Sequence, residues 1–301
     1  MAHRTAAQNA IRALCARFGC LICALLVATS AHALPSTSSA PHLTVGLVSE
    51  HAAITPGQDF WIGVNFSLEP GWHVYWVNPG DSGEPPRVAW KLPAGFHAGA
   101  IQWPRPERIM VPPLVDYGYH GAVLLMALIH AAPDARTGKP AELAAGVSWV
   151  VCREVCIPGK AQLGRSLPVT RHAEINARQH AVFEATRRLL PKPAPAGWKT
   201  TARLEGDQFV ITVENGHPTR PADFFPLAGQ QIANAAPKRV EAFDRGVRIV
   251  VKTAEQLLRT PATLAGVLVL ARGASYVIEA PIMPTAAPPS GDPRSSDPSR
   301  Q

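Results

Sequence analysis

The sequence predicts an all-β chain built as two β-sandwich domains. Three observations lead there. Apolar residues recur at every second position in short runs, the pattern of half-buried strands. Prolines are frequent, 30 in 301 residues, about twice average usage, and they break those runs as a loop-rich β chain requires. The stretch Pro191-Lys192-Pro193-Ala194-Pro195 then reads as a stiff linker between two strand-rich blocks.

The N-terminus reads as an export leader. Arg4, Arg12 and Arg17 accompany an apolar run from Phe18 to Ala28, and Ala31-His32-Ala33 has the small-x-small form of a cleavage site. The run is short for a membrane span. Cleavage after Ala33 would remove Cys15, Cys20 and Cys23, leaving Cys152 and Cys156 as the mature chain's cysteine pair. In an oxidising compartment an even count favours a disulfide. Cleavage would also take the formal net charge from +7 to +4, too weak and dispersed for a nucleic-acid footprint. No later segment approaches spanning length, so a soluble mature protein is expected.

In chain order, Leu43, Val45 and Leu47 alternate, and Phe60 to Phe66 repeats the theme after a Thr55-Pro56-Gly57 turn. Gly71 to Val77 is another strand, with Trp72, Val74 and Trp76 on one face and His73, Tyr75 and Val77 on the other. Asn78-Pro79-Gly80-Asp81-Ser82-Gly83 breaks it with turn formers. Val88 to Leu92 is a short strand. The proline-punctuated segment from Ile101 to Tyr119 cannot donate a full ladder and is expected as a long surface loop. Gly121 to His130 is a buried strand. Ala145 to Val151 leads into the cysteines and Gln162 to Val169 leads away, placing the pair at a hairpin tip.

Residues 172–190 form the best helical stretch, rich in Ala with Glu, Arg and Gln between. Beyond the linker, Phe209 to Val213, Val247 to Val251, Leu264 to Leu270 and Tyr276 to Ile282 supply a second, smaller sandwich. The expected organisation is a leader (1–33), a first sandwich (36–170), a helix and linker (171–197), a second sandwich (198–283) and a disordered tail (284–301).

The chemistry concentrates at Cys152-Arg153-Glu154-Val155-Cys156-Ile157-Pro158. As a staple, a ring this small contributes only about 2 kcal/mol by chain entropy, a poor device for holding a large fold. As a redox switch it suits exchange, which needs one accessible thiolate and a resolving thiol beside it. Arg153 and Lys160 favour thiolate, while Glu154 opposes them. As a metal clamp the two sulfurs would recruit histidines, His73 and His120 above all, or Met110, a soft set that suits Cu(I). No nucleophile elbow, phosphate loop or His-Glu-x-x-His helix is present. The aromatic group Trp72, Tyr75, Trp76, Trp90 and Trp103 fits core packing better than a carbohydrate platform.

Gly71-Trp72-His73-Val74-Tyr75-Trp76, Asn78 to Gly83, Trp103-Pro104-x-Pro106, Tyr117-Gly118-Tyr119 and Cys152-x-x-x-Cys156-Ile157-Pro158 together resemble one family. It is the periplasmic N-terminal domain of the thiol:disulfide interchange protein DsbD, in particular its ScsB-type relatives associated with suppression of copper sensitivity. The resemblance covers residues 42 to 170 and continues more loosely through Phe224-Phe225-Pro226 and Gly266-Val267-Leu268-Val269. It implies immunoglobulin-like sandwiches and a thiol–disulfide oxidoreductase with no cofactor beyond its own cysteines. Cys152 and Cys156 match the redox pair, with His73, Tyr75, Arg153, Glu154 and Pro158 around it and Trp103, Tyr117 and Tyr119 in the cap loop. No metal set is assigned.

The partners implied are a membrane-embedded thiol reductant of the DsbD or CcdA type and periplasmic thioredoxin-fold disulfide proteins. The settings implied are copper tolerance and cytochrome c biogenesis. Two features depart from the family. Only three residues separate the cysteines, fewer than in the best-known members. The sequence to Gln301 also holds no multi-helix membrane region and no terminal Cys-x-x-Cys, so the reductant is expected to be a separate protein. The competing class is a non-catalytic copper-handling or scaffold module.

Overall fold

The computed structural model describes residues 33–284, and the expected leader up to His32 and the tail from Thr285 lie outside them. The first block opens with β1 (Thr37–Ala40), β2 (Leu43–Ser49), β3 (His51–Ala53), β4 (Asp59–Leu68), β5 (His73–Gly80), β6 (Arg87–Lys91) and β7 (His97–Ala98). It continues with β8 (Glu107–Val111), β9 (Leu114–His120), β10 (Ala122–His130), β11 (Pro140–Cys152) and β12 (Cys156–Pro168). Then come β13 (Glu174–Ile175), helix α1 (Ala177–Arg187) and, in the linker, β14 (Lys192–Pro193). The second block is β15 (Lys199–Glu205), β16 (Gln208–Glu214), β17 (Pro221–Pro226), β18 (Arg239–Phe243), β19 (Gly246–Lys252), β20 (Thr263–Leu270) and β21 (Ser275–Met283).

Both blocks are immunoglobulin-like sandwiches. In the first, one sheet runs β1-β2-β4-β10-β7 and the other β12-β11-β5-β9-β8, with β6 also pairing on β11. Alternation decides what lies between them. Val45, Leu47, Val64 and Phe66 from one sheet meet Val74, Trp76, Val147, Trp149 and Leu163 from the other, and Trp149 meets Phe66 edge-on at 5.9 Å. His73 and Tyr75, though buried, stand on the opposite face of β5, outside this cluster.

In the second block the order is β17-β20-β21-β15-β16-β19-β18. The parallel contact of β15 with β21 is short, Ala202↔Ile282 and Arg203↔Met283. Phe224, Leu264 and Leu268 from one end of this order share a core with Phe209, Ile211 and Ile249 from the other, so the sheet folds over on itself. Phe224 points into that core while its neighbour Phe225 joins the core of the first block. Phe225 meets Tyr117 edge-on at 5.1 Å and Trp76 at 6.3 Å. The two sandwiches therefore pack against each other, with strand alternation on β17 supplying one residue to each.

The helix is shorter than the sequence predicts. Asn176 caps it, accepting from the Gln179 amide at 3.2 Å, and the residues before the cap pair with β3 instead. Phe183 of α1 buries against Leu124 and Met126, which lie on the outer face of β10. Buried Glu50 accepts two bonds from Arg187, at 2.8 and 2.5 Å, and lies 2.7 Å from His180 Nδ1. Burial raises the Glu50 pKa, but the bonds from Arg187 and His180 outweigh it and hold the carboxyl below its ordinary range. Glu50, His180 and Glu184 lie close enough to share a cation, and the Arg187 guanidinium already supplies that charge.

The expectation for Ile101 to Tyr119 is corrected. Glu107 to His120 is the β8–β9 hairpin, paired from Glu107↔Gly118 to Val111↔Leu114. Its prolines fall where no ladder N–H is needed: Pro104 and Pro106 precede β8, and the cis-linked Pro112-Pro113 forms the turn. Tyr117 and Tyr119 are core residues, and their hydroxyls donate to Asn234 Oδ1 at 2.8 Å and to the Pro104 carbonyl at 2.7 Å.

Candidate redox site

The site sits at the tip of the longest hairpin. β11 and β12 pair in unbroken register from Pro140↔Pro168 to Cys152↔Cys156. Core positions fix that register, because a one-residue slip would turn Val147, Trp149 and Val151 to the outer face. Gly159 opposite Trp149 is required: the indole lies 2.5–2.6 Å from where a Cβ would stand. The last pair of the ladder is the disulfide Cys152–Cys156, closed around the turn Arg153-Glu154-Val155. The two sulfurs are unequal. Cys152 is 2% exposed, whereas Cys156 is exposed.

One rung of the sheet carries the site. Cys156 pairs with Cys152, Cys152 with His73, and His73 with His120, across β12, β11, β5 and β9. Directly opposed side chains share a face with Cβ atoms about 4.5–5.5 Å apart. The rings of His73 and His120 are 5.7 Å apart, and His73 meets Tyr75 edge-on at 5.2 Å. The Tyr75 hydroxyl stands 3.7 Å from the Cys156 sulfur. Burial, helped by the neighbouring His120, pulls the His73 imidazole down to about 4. Burial raises the Tyr75 phenol, the nearby Asp116 carboxylate adds to this, and a Ser82 bond opposes it.

The segment after Tyr75 lies over this face. Gly83 rests on the Tyr75 ring so closely that a Cβ would fall 2.0–2.5 Å from its carbons, and its φ of +71° favours glycine as well. The loop is tied down. Ser82 donates to buried Asp116 through N–H (2.9 Å) and Oγ (2.7 Å), and Asp81 Oδ2 accepts from the Val115 amide (2.9 Å). Asn234, from the second sandwich, donates to Asp81 Oδ1 at 2.7 Å. Burial pushes the Asp116 carboxyl up, against the Ser82 bonds that favour its anion. Beyond Gly83, residues Glu84, Pro85 and Arg87 line a groove of about 500 Å³ with Val150, Pro158 and Lys160.

Of the residues read from the sequence, Cys152, Cys156, His73 and Tyr75 come together. Arg153 and Glu154 form an exposed pair at the tip, 3.4 Å apart, and Arg153 also lies 5.9 Å over the Trp72 ring, which stacks on His42 at 3.8 Å. Pro158 opens the groove. Trp103, Tyr117 and Tyr119 are the correction: Trp103 packs against the first core and the tyrosines lie within it. The loop from Asp81 to Pro85 covers the redox face instead. Met110 is 64% exposed on β8. Sequence reading missed Gly83, Ser82 and Asp116 as members of the site. The available signal is the run of turn formers from Asn78 to Gly83, two residues beyond Trp76. Among the described residues no helix is long and apolar enough to cross a membrane.

The model of the family "Thiol:disulfide interchange protein DsbD, N-terminal" matches residues 44–168. The solved N-terminal periplasmic domain of ScsB from Proteus mirabilis superposes with a TM-score of 0.63 at 16% identity, over 83% of this chain and 98% of that one. That likeness extends past residue 168 and shows a shared fold. The periplasmic chaperones SfaE and YadV, at 9% and 10% identity over 78% of this chain and 98% of theirs, reach TM-scores of 0.24 and 0.20, too low to bear on the argument. No curated protein matches the sequence. Residues 44–168 are therefore similar to the N-terminal domain of the thiol:disulfide interchange protein DsbD, and Cys152 and Cys156 lie inside the matched residues.

Proposed function

We propose that this chain is a periplasmic thiol–disulfide interchange protein. Its Cys152–Cys156 pair relays electrons from a membrane-embedded thiol reductant of the DsbD or CcdA type to thioredoxin-fold disulfide proteins. The observation that carries the reading is the asymmetry of the disulfide at the hairpin tip. One sulfur is presented to solvent beside exposed Val155, and the other is sheltered on the sheet. An exchanging pair needs this division of labour, with an accessible sulfur for attack and a protected one to resolve. A staple needs no exposed member. The leader expected from the sequence and the ScsB-like fold support the location.

The test uses the exported chain with the cysteines replaced singly. With Cys152→Ser, Cys156 is expected to trap a thioredoxin-fold partner as a mixed disulfide. Cys156→Ser should trap little. Equilibration in glutathione buffers, read by alkylation, should place the potential above the range of structural bonds, which lies below about −300 mV. A lower potential with the fold lost on reduction would make the pair structural. Tight Cu(I) binding without exchange would make it a copper clamp.

A further inference from the structure

The exchange reading leaves one chemical difficulty. When a reductant attacks Cys156, the electron pair of the Cys152–Cys156 bond moves to Cys152 Sγ, which is 2% exposed. A thiolate there has lost its water and needs a partner. The cations that the sequence offers do not serve. Arg153 is engaged at the tip with Glu154 and Trp72. Lys160 pairs with Ser148, four rungs from Cys152, about 13 Å along the strand.

We propose that His73 is the counter-ion for this buried sulfur: as Cys152 leaves as a thiolate, His73 takes up from solvent the proton that the attacking thiol released on ionising, and the two form a thiolate–imidazolium pair. Three observations support it. His73 is the cross-strand partner of Cys152. It is buried, and its Nε2 has no hydrogen-bond partner, so that nitrogen has no bond to give up when a new charge forms beside it. The other groups facing His73 are accounted for. Tyr75 meets it edge-on, and His120 from β9 lies 3.3 Å from Glu107. Asp81 and Asp116 are held by the loop that covers Tyr75.

In the oxidised protein the imidazole is neutral down to about pH 4, so it is free to receive a proton. An anion forming beside it favours the charged form. The step balances. A dithiol reductant gives one thiolate to Cys156, making a mixed disulfide as the Cys152 bond breaks. Its second thiol then attacks its own bonded sulfur, releasing Cys156 as a thiol and leaving the reductant oxidised. Two electrons pass; of the reductant's two thiol protons one ends on Cys156, and the other, released when the attacking thiol ionised, ends on the His73–Cys152 pair.

The proposal rests on the exchange reading, and its test keeps the two apart. The exported full chain is reduced with dithiothreitol between pH 5 and 9, and the rate is divided by the dithiothreitol thiolate concentration. In the wild type this normalised rate should rise toward acid. In His73→Gln it should be flat and at least tenfold lower at pH 6. The second readout is the His73 imidazole titration by NMR in wild type, assigned through that variant: its apparent pKa should rise on reduction. An unchanged titration in the two redox states, or a His73→Gln profile matching wild type, overturns the proposal. If the variant does not fold, the wild-type titration decides, with the resonance assigned by sequential methods. Failure with protein partners alongside an intact dithiothreitol profile would remove the relay and leave the His73 role standing.

Discussion

Cys152 and Cys156 face each other across one rung yet stand in different media, one in the protein and one in water. That difference gives the direction of trapping stated above. It extends to the fold's response to acid through His73. Its folded pKa, about 4, lies below the ordinary value near 6.5. Between these values the unfolded chain binds more protons than the folded one. The stability that His73 contributes is therefore full above about pH 6.5 and is lost as pH falls toward 4. The loss is on the order of 3 kcal/mol. Asp116, raised by burial, works in the opposite sense, so the readout is a difference. Urea midpoints of the oxidised wild type should fall further between pH 7 and 4 than those of His73→Gln. Equal falls would refute the assignment. Alternation along Gly71 to Val77 made the pairing of His73 and Tyr75 on one face legible. Their cross-strand neighbours were not legible, because register is set by contacts remote in sequence.

At the scale of elements, the hairpin and the loop that covers it follow different rules. The hairpin was readable from two apolar runs flanking the cysteines. The loop was not: six turn formers announce a turn without saying what surface the turn lies on. The β8–β9 hairpin was hidden for the converse reason. Its prolines dominate the composition but sit at the ends of the strands, where they break no ladder bond. The loop's closeness gives a prediction. Gly83→Ala should push it off the Tyr75 ring, destabilising the fold by about 1–3 kcal/mol. It should also uncover Tyr75, seen as a lower phenol pKa in an ultraviolet titration, because burial is what raises that pKa. A variant as stable as wild type, with an unchanged Tyr75 titration, would show that Gly83 does not cover Tyr75.

Across the whole molecule, the second sandwich does more than follow the first. Asn234 donates to Asp81 and accepts from Tyr117. Lys238 donates to Asp223 (2.5 Å) and to the Phe224 carbonyl (2.6 Å), and lies 6.0 Å over the Tyr117 ring. Burial takes this lysine down to about 8 despite Asp223. Asn234→Ala removes both of the side-chain bonds and strands the Tyr117 hydroxyl, which should cost about 1–3 kcal/mol. The same variant should loosen the loop, seen as faster hydrogen exchange at the Ser82 amide. A stability loss with Ser82 exchange unchanged would confine Asn234 to the interface. The two strand-rich blocks were visible in the sequence. The packing between them was not, since a Phe-Phe pair looks alike whether both rings enter one core or each enters its own.

The grip of Asn234 on Asp81 has a consequence for regulation. It places the loop over the redox face and the second sandwich in a single equilibrium. An exchange partner that displaces the loop as it docks beside exposed Cys156 then works against whatever tightens that grip. Coupling between two binding events is reciprocal. A molecule that bound the second sandwich and favoured the closed loop would weaken the exchange partner's hold by some factor. The exchange partner, once docked, would weaken that molecule's hold by the same factor.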